Sequence, residues 1–318
     1  MKQIVTTLVL LSFFACGQTT KKPSPINLDH QPKTVEIFGQ GIVSTSLYER
    51  DMAISPDGTT ILYTLGDYQQ KKRGLVGLQK SAEGWSEPEL LEISGIYQDI
   101  EPFFSADGTH LFFASNRPIG IDSTTDYNIW SSKKTATGWE EPIALGPQIN
   151  TPEDEFYPSL TKNGNLYFTA TREEGRGKED IFVSKLVDGV YQKAVPLDST
   201  INTKNYEFNA YISPEENLII FSSYGRADDL GHGDLYYSIK DEAGNWAQSV
   251  NMGNQINSEK LDYCPFIDYQ KKCFYFTSER IKVVEQFKTA ADLRAYANSI
   301  QNGMGDIYVV SFDQLGIQ

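Results

Sequence analysis

Short apolar runs separated by turn-forming residues recur along the chain and predict β-strands. The first run leads into an Asp-Gly turn and a second run, at Met52–Gly58 and Ile61–Thr64. Because Gly accepts the positive φ of a tight turn without steric penalty, this arrangement predicts a β-hairpin. Further copies of the hairpin begin at Pro102, Pro158, Ala210 and Pro265. A spacing of about fifty residues indicates one structural unit repeated five times.

Each hairpin is followed by a third and a fourth strand. The third strands are predicted at Gly74–Leu78, where the pattern is degenerate, and at Asn128–Ser132, Asp180–Ser184, Asp234–Ser238 and Asp306–Val310. The fourth strands begin near an aromatic residue, at Trp85, Trp139, Tyr191 and Trp246. Four short antiparallel strands per repeat are typical of a β-propeller blade, so the chain is predicted to be an all-β propeller with five blades.

The fifth repeat ends at Leu315–Gln318 without a fourth strand. Val35–Ser46 resembles the fourth strand and connector of the other repeats, so we expect it to pair with the last blade and close the ring. Closure removes the open sheet edges that invite aggregation. Residues 34–318 are therefore predicted to form a single, monomeric propeller domain.

The first residues have the pattern of a targeting segment. Met1–Gln3 is basic, Ile4–Phe14 is almost entirely apolar, and Ala15 precedes Cys16. This run is too short to span a bilayer, so residues 1–15 are predicted to be a signal peptide, and the polar residues 16–33 a flexible tether. A Cys directly after the apolar run resembles the lipobox of bacterial lipoproteins, which implies lipidation of Cys16. The alternative is an ordinary signal peptide with an incidental Cys.

The repeat resembles the TolB-like propeller repeats of bacterial envelope proteins, especially lipoproteins of the Bacteroidetes type. The matching residues are the Ser-Pro-Asp-Gly and Ser-Ala-Asp-Gly turns, Ser115–Arg117, and the Gly-x-Gly-Asp runs at Gly231–Tyr236 and Gly303–Tyr308. The resemblance covers residues 34–312 and implies a lipid-anchored envelope protein, in the outer membrane and facing the periplasm or the cell exterior. Many relatives have six blades, which is the alternative to five.

The mature chain is acidic, with a net charge of −14 for the full sequence and a pI near 4.7. This argues against nucleic acid or an anionic membrane surface as a partner, so the expected membrane attachment is the lipid anchor alone. Cys264 and Cys273 fall on one predicted hairpin. An exported protein can form a disulfide there, but their diagonal offset is unfavourable.

Candidate site residues lie where the repeat brings loops together at the mouth of the central channel. An acid precedes every predicted first strand, at Glu49, Asp99, Glu155, Glu207 and Asp262. Two residues after each acid come Asp51, Glu101, Tyr157, Asn209 and Cys264. An Arg follows four of the second strands, at Arg117, Arg172, Arg226 and Arg280. Such groups could clamp an anion or hold a hard cation. The stronger interpretation is that acid and Arg pair with each other, because a binding site usually breaks the repeat symmetry.

The largest departure from the repeat is residues 281–303, between the second and third strands of the last blade. Val283–Phe287, Ala291, Leu293, Tyr296 and Ile300 recur at helical spacing, which predicts an amphipathic helix on the mouth face. The helix could be a lid, a docking element for a partner, or a plug packed over apolar surface.

No catalytic constellation, metal site or cofactor site is predicted. The three histidines, His30, His110 and His232, do not cluster, and the chain has no nucleophile elbow or phosphate loop. The leading hypothesis is a non-catalytic binding or scaffolding propeller for an envelope protein or glycan. The competing hypothesis is a glycan or peptide hydrolase or lyase that uses mouth carboxylates such as Asp51 and Glu101. A third is a purely structural lipoprotein.

Overall fold

The computed structural model describes residues 26–120 and 125–317. The predicted signal peptide and Cys16 lie outside the described residues. Within these residues, none of the helices has the length and apolar character needed to cross a membrane.

The described residues form 23 strands, one short α-helix and one 3-10 helix. The strands in chain order are β1 (Glu36–Ile37), β2 (Tyr48–Ile54), β3 (Thr60–Gly66), β4 (Arg73–Ser81), β5 (Gly84–Trp85), β6 (Glu89–Leu90), β7 (Asp99–Phe104), β8 (His110–Ser115), β9 (Asn128–Lys133), β10 (Ile143–Ala144), β11 (Glu155–Leu160), β12 (Leu166–Ala170), β13 (Asp180–Ser184), β14 (Leu186–Val187), β15 (Val190–Tyr191), β16 (Val195–Pro196), β17 (Tyr206–Ile212), β18 (Leu218–Tyr224), β19 (Asp234–Ile239), β20 (Val250–Asn251), β21 (Asp262–Asp268), β22 (Cys273–Ser278) and β23 (Asp306–Ser311). The helices are α1 (Ala290–Ala297) and the 3-10 helix Phe312–Gln314.

Five antiparallel sheets form the five blades. Their strand orders are β2-β3-β4-β6, β7-β8-β9-β10, β11-β12-β13-β16, β17-β18-β19-β20 and β21-β22-β23-β1. The first strands of neighbouring blades contact one another around the ring, and β21 contacts β2. The prediction of a five-bladed, all-β propeller is confirmed, and the six-bladed alternative is excluded.

The ring is closed as predicted by the N-terminal segment. β1 pairs antiparallel with β23, with Glu36 opposite Val309 and Ile37 opposite Tyr308. In three other blades a connector Asn accepts a hydrogen bond from the third strand, as Asn150 does from the Ile129 amide at 2.8 Å. In the closing segment Ser44 Oγ takes this place and accepts from the Ile307 amide at 3.0 Å. The segment is therefore the displaced end of the fifth repeat.

Residues 26–33, which the sequence assigns to the tether, pack on the last blade. Leu28 is buried, Gln31 donates to the Lys271 carbonyl at 2.8 Å, and the Pro32 carbonyl accepts from the Ser311 amide at 2.8 Å. Lys271 belongs to the turn between β21 and β22, on the face opposite the predicted mouth. The chain consequently enters the propeller from that opposite face.

The insertion in the last blade is helical over only part of its predicted length. α1 begins after Thr289, which forms a capping box with Asp292, and none of its residues is buried. Val283 is 85% exposed and Leu293 is 52% exposed. Most apolar positions of the insertion thus face solvent, while Tyr296 and Ile300 are half-buried, and the insertion does not pack over the propeller as a plug would.

Cys264 and Cys273 are both buried free thiols. Cys264 lies at the channel axis, where its Sγ is 2.6 Å from Asp51. Cys273 lies at the far end of the blade, beside the His30 carbonyl. The predicted possibility of a disulfide between them is not realised.

Candidate functional site

The acids predicted to precede the first strands form an outer ring of buried carboxylates, and each is the first or second residue of its strand. Each is completely shielded from solvent. In four blades the predicted Arg pairs with the acid of its own blade, at 2.6 Å for Arg117 and Asp99, 2.7 Å for Arg172 and Glu155, 3.0 Å for Arg226 and Glu207, and 3.1 Å for Arg280 and Asp262. Each Arg also donates to a carbonyl of the preceding connector, at Ile93, Ile149, Ile201 and Ile256 respectively. The ring therefore ties every such blade to the one before it.

The first blade lacks this Arg. Glu49 accepts two hydrogen bonds from Thr45, as Glu155 does from Thr151 and Glu207 from Thr203. Burial raises the pKa of Glu49 to about 7, although the Thr45 hydrogen bonds oppose the shift. The nearby carboxyl of Asp306 raises the pKa of Glu49 further. The seam between the last and first blades thus contains an acid without the cation that its counterparts have.

A second, inner ring lies at the channel axis. Its members are Asp51, Glu101, Tyr157, Asn209 and Cys264, and all are nearly inaccessible to solvent. Each stands at a β-bulge in the first strand of its blade, with a positive φ of 49–62°. This left-handed conformation costs a non-glycine residue about 1–2 kcal/mol, so five repetitions require strong compensation from the packing.

The bulges aim these five side chains at one another across the channel. Asn209 donates to Glu101 at 3.3 Å, and the Tyr157 amide donates to the same carboxylate at 2.7 Å. The Tyr157 hydroxyl donates to the Pro265 carbonyl at 3.0 Å. Contacts between blades that are not adjacent close the channel at this level.

Arg50 is the cation of the inner ring. Its guanidinium lies 2.8 Å from Asp51 and 2.8 Å from Glu101, and it stacks over the Tyr263 ring at 5.0 Å. Burial raises the pKa of Glu101 to about 7, while the Arg50 charge opposes this shift. Burial also raises the pKa of the Cys264 thiol well above its usual value, which keeps the thiol protonated and able to donate to Asp51.

Arg50 was not among the predicted site residues, although the repeat contains a signal for it. The corresponding residues in the other four blades are Ile100, Phe156, Phe208 and Tyr263. A charged residue at a position that is otherwise apolar is a departure from the repeat, and it marks the group that neutralises both central carboxylates.

The central carboxylates have few free sites for a substrate. Glu101 accepts from Arg50, Asn209 and the Tyr157 amide. Among the described residues there is no cluster of His, Cys, Asp and Glu that could hold a metal ion. His110 and His30 both lie away from the mouth. The His30 ring contacts the Glu36 carboxylate at 2.9 Å. The arrangement is that of a buried structural network more than of an acid–base pair open to substrate.

The mouth face carries most of the exposed large apolar side chains of the described residues. They come from the connectors and from the loops between second and third strands, and include Tyr68, Ile96, Tyr97, Ile119, Tyr206, Tyr224, Leu230, Ile281, Val283, Val284, Phe287 and Leu293. Ile96 is 88% exposed. We call this group the mouth-face apolar surface.

No protein-family model matches the chain, and no curated protein matches it. Solved propellers do match. The native arabinanase of Bacillus subtilis has 13% identity and a TM-score of 0.50, covering 83% of this protein and 94% of the arabinanase. A beta-xylosidase/alpha-arabinofuranosidase from a compost microbial metagenome has 8% identity and a TM-score of 0.50, covering 87% of this protein and 94% of that enzyme.

A putative TolB from Agrobacterium tumefaciens has 17% identity and a TM-score of 0.47, covering 76% of this protein and 72% of the TolB structure. At such identities the likeness concerns the fold, which hosts many activities. The chain is therefore a five-bladed propeller, and its function has to be argued from its own surfaces.

Proposed function

We propose that this protein is a lipid-anchored, non-catalytic binding module of the bacterial cell envelope, which recruits an envelope protein at its mouth face. The observation that carries the proposal is the mouth-face apolar surface. The insertion concentrates this surface, because Ile281, Val283, Val284, Phe287 and Leu293 are all exposed there, and exposed apolar patches mark interaction sites. Aromatic residues are also enriched in protein interfaces. A glycan is the other partner class that exposed tyrosines suit.

The inner ring supports a binding role over catalysis. A general acid or base needs a carboxyl within hydrogen-bond reach of a substrate. Glu101 is only 3% exposed and is held by Arg50 at 2.8 Å. Breaking this network to admit a substrate would leave buried charges uncompensated, at a cost of about 3–5 kcal/mol.

The entry point of the chain supports an orientation. Residues 26–33 lie on the face opposite the mouth, next to Lys271. About ten residues separate Cys16 from Ile26, and an extended chain spans at most about 3.5 Å per residue. A lipid on Cys16 would hold the opposite face within about 35 Å of the membrane and leave the mouth face pointing away from it.

Two variants of the full chain test the docking role in photo-crosslinked, detergent-solubilised envelopes. In the first, Val283, Phe287 and Leu293 are changed to Ser. The matched control changes Val187, Val190 and Val195 to Ser, which are also exposed but lie on the outer strands. We expect the first variant to lose a specific crosslinked partner at least tenfold and the control to keep it. If both variants recover the crosslinked partner equally, the insertion does not dock it.

One observation supports the enzyme hypothesis. Burial raises the pKa of Glu101 to about 7, so this carboxyl is partly protonated near neutral pH. The likeness to an arabinanase makes arabinan the first substrate to try. Wild-type protein and Glu101→Gln are incubated with arabinan, and reducing ends are counted. We expect no turnover by either; an activity that Glu101→Gln abolishes would replace the binding proposal.

A further inference from the structure

The channel has a second end, on the face opposite the mouth, and there it opens into a cavity. Its volume is about 260 Å³. All five blades contribute to its wall, through the ends of their first strands and the turns that follow. Representative lining residues are Ile54, Phe103, Leu160, Tyr211 and Phe266.

Three aromatic rings form one side of this axial cavity. Phe103 and Tyr211 come from the second and fourth blades, which are not adjacent, yet their ring centroids are 6.2 Å apart. Tyr211 and Phe266 meet edge to face at 5.7 Å. Offset and edge-on geometries are those that aromatic rings prefer, so a further ring entering the cavity meets suitable partners.

Several polar groups around the axial cavity are paired within the chain. The Tyr211 hydroxyl donates to the Ile267 carbonyl at 3.2 Å. Ser105 donates to Asp107 at 2.6 Å. At the rim, Lys162 pairs with Glu215 at 2.5 Å and Lys271 with Asp29 at 2.6 Å. An uncharged apolar ligand can enter the cavity and leave these contacts intact.

We propose that the axial cavity is a binding site for a small uncharged aromatic molecule of one or two rings. Drug-sized ligands occupy pockets of about 300–1,000 Å³, so a cavity just below that range suits a smaller ligand. The small volume and the aromatic wall favour a free small molecule over a folded partner. This site is independent of the mouth-face proposal, because it lies at the other end of the channel.

Indole binding to the purified full-length protein tests the site. Isothermal titration is expected to give one indole per protein molecule, with a dissociation constant of about 1 mM or tighter, which is attainable for a ligand of this size. Ala106 lines the cavity in an exposed turn, so Ala106→Trp should fill the space and weaken indole binding at least tenfold. Ala243→Trp, in an exposed turn outside the cavity, is the matched control and should bind as wild type.

If Ala106→Trp folds poorly, a second measurement on the wild-type protein locates the bound indole. Intermolecular Overhauser effects from indole should reach ring protons of Phe103 and Tyr211 in the wild-type protein. Equal binding by the two Trp variants, contacts only to other residues, or no binding up to about 10 mM indole would overturn the proposal. Competition by myo-inositol, a polar ring of similar size, would also overturn it, because the site would then not select apolar ligands.

Discussion

The guanidinium of Arg50 lies 2.8 Å from the carboxylate of Glu101, across the boundary between the first and second blades. The same guanidinium holds Asp51, which in turn accepts from Cys264 of the last blade. One side chain therefore links three blades at the channel axis. In the other blades this position is apolar, so the link exists once in the ring.

Replacing Arg50 with Met is expected to lower the free energy of unfolding by about 3–5 kcal/mol at pH 8, because two buried carboxylates lose their cation. At pH 5 the loss should be smaller, since Glu101 takes up a proton below a pKa of about 7. Urea unfolding at both pH values checks this. Lys193→Met removes an exposed ion pair with Glu174 and should have no measurable effect. A loss of the same size at both pH values would contradict the electrostatic explanation.

Stability should fall as the pH rises from about 4.5 to about 7, in part because of Glu49. Its pKa is raised from 4.5 to about 7 in the folded protein, so in this window the folded state holds a proton that the unfolded state has released. The contribution is fully present below pH 4.5 and is lost above pH 7. Glu49→Gln mimics the protonated form and should flatten the profile measured by thermal unfolding. An unchanged slope would show that Glu49 ionises freely in the folded protein.

The closing segment is expected to be essential to stability. Phe38 is 4% exposed and meets Tyr275 edge to face at 5.2 Å. Phe38→Ala should destabilise the protein by about 3–5 kcal/mol, through lost burial and the cavity left behind. Phe287→Ala is the matched control on the exposed insertion and should stay within about 0.5 kcal/mol of wild type. Similar effects of the two changes in chemical denaturation would mean that the ring does not depend on this closure.

Both internal cysteines should resist alkylation in the folded protein and react once it unfolds. Cys264 and Cys273 are buried, and burial raises the pKa of Cys273 to about 11, so little reactive thiolate is present at pH 8. Mass spectrometry after iodoacetamide treatment should show both unmodified in buffer and both labelled in denaturant, without prior reduction. Failure to label in denaturant until a reductant is added would reveal a disulfide.

The positions of the candidate residues in the repeat could be predicted from the sequence, but their burial could not. Alignment of repeats placed Glu49, Asp99 and their counterparts just before the first strands; in the structure they are the first or second residues of those strands. It also predicted their Arg partners in four blades. Whether such groups face solvent or the interior depends on how tightly five blades pack, and this is a property of the assembled ring.

The helix in the insertion could be predicted from the sequence only in part. Apolar residues at helical spacing predicted a helix packed by one face. The capping box at Thr289 starts the α-helix at Ala290, so the apolar residues before it remain outside the helix, which ends at Ala297. Periodicity reports which side chains share a face; it does not report whether another surface meets that face.

The sequence by itself determined the five-fold repeat, the four-stranded blade, and the pairing of the N-terminal segment with the last blade. These follow from turn chemistry and alternation within about fifty residues, which are local properties of the chain. Only the tertiary structure decided that Arg50 neutralises Asp51 and Glu101, and that the opposite end of the channel opens between Phe103, Tyr211 and Phe266. Apart from the neighbours Arg50 and Asp51, those groups are far apart in the chain, and their contacts arise when the ring closes and brings every first strand to a common axis.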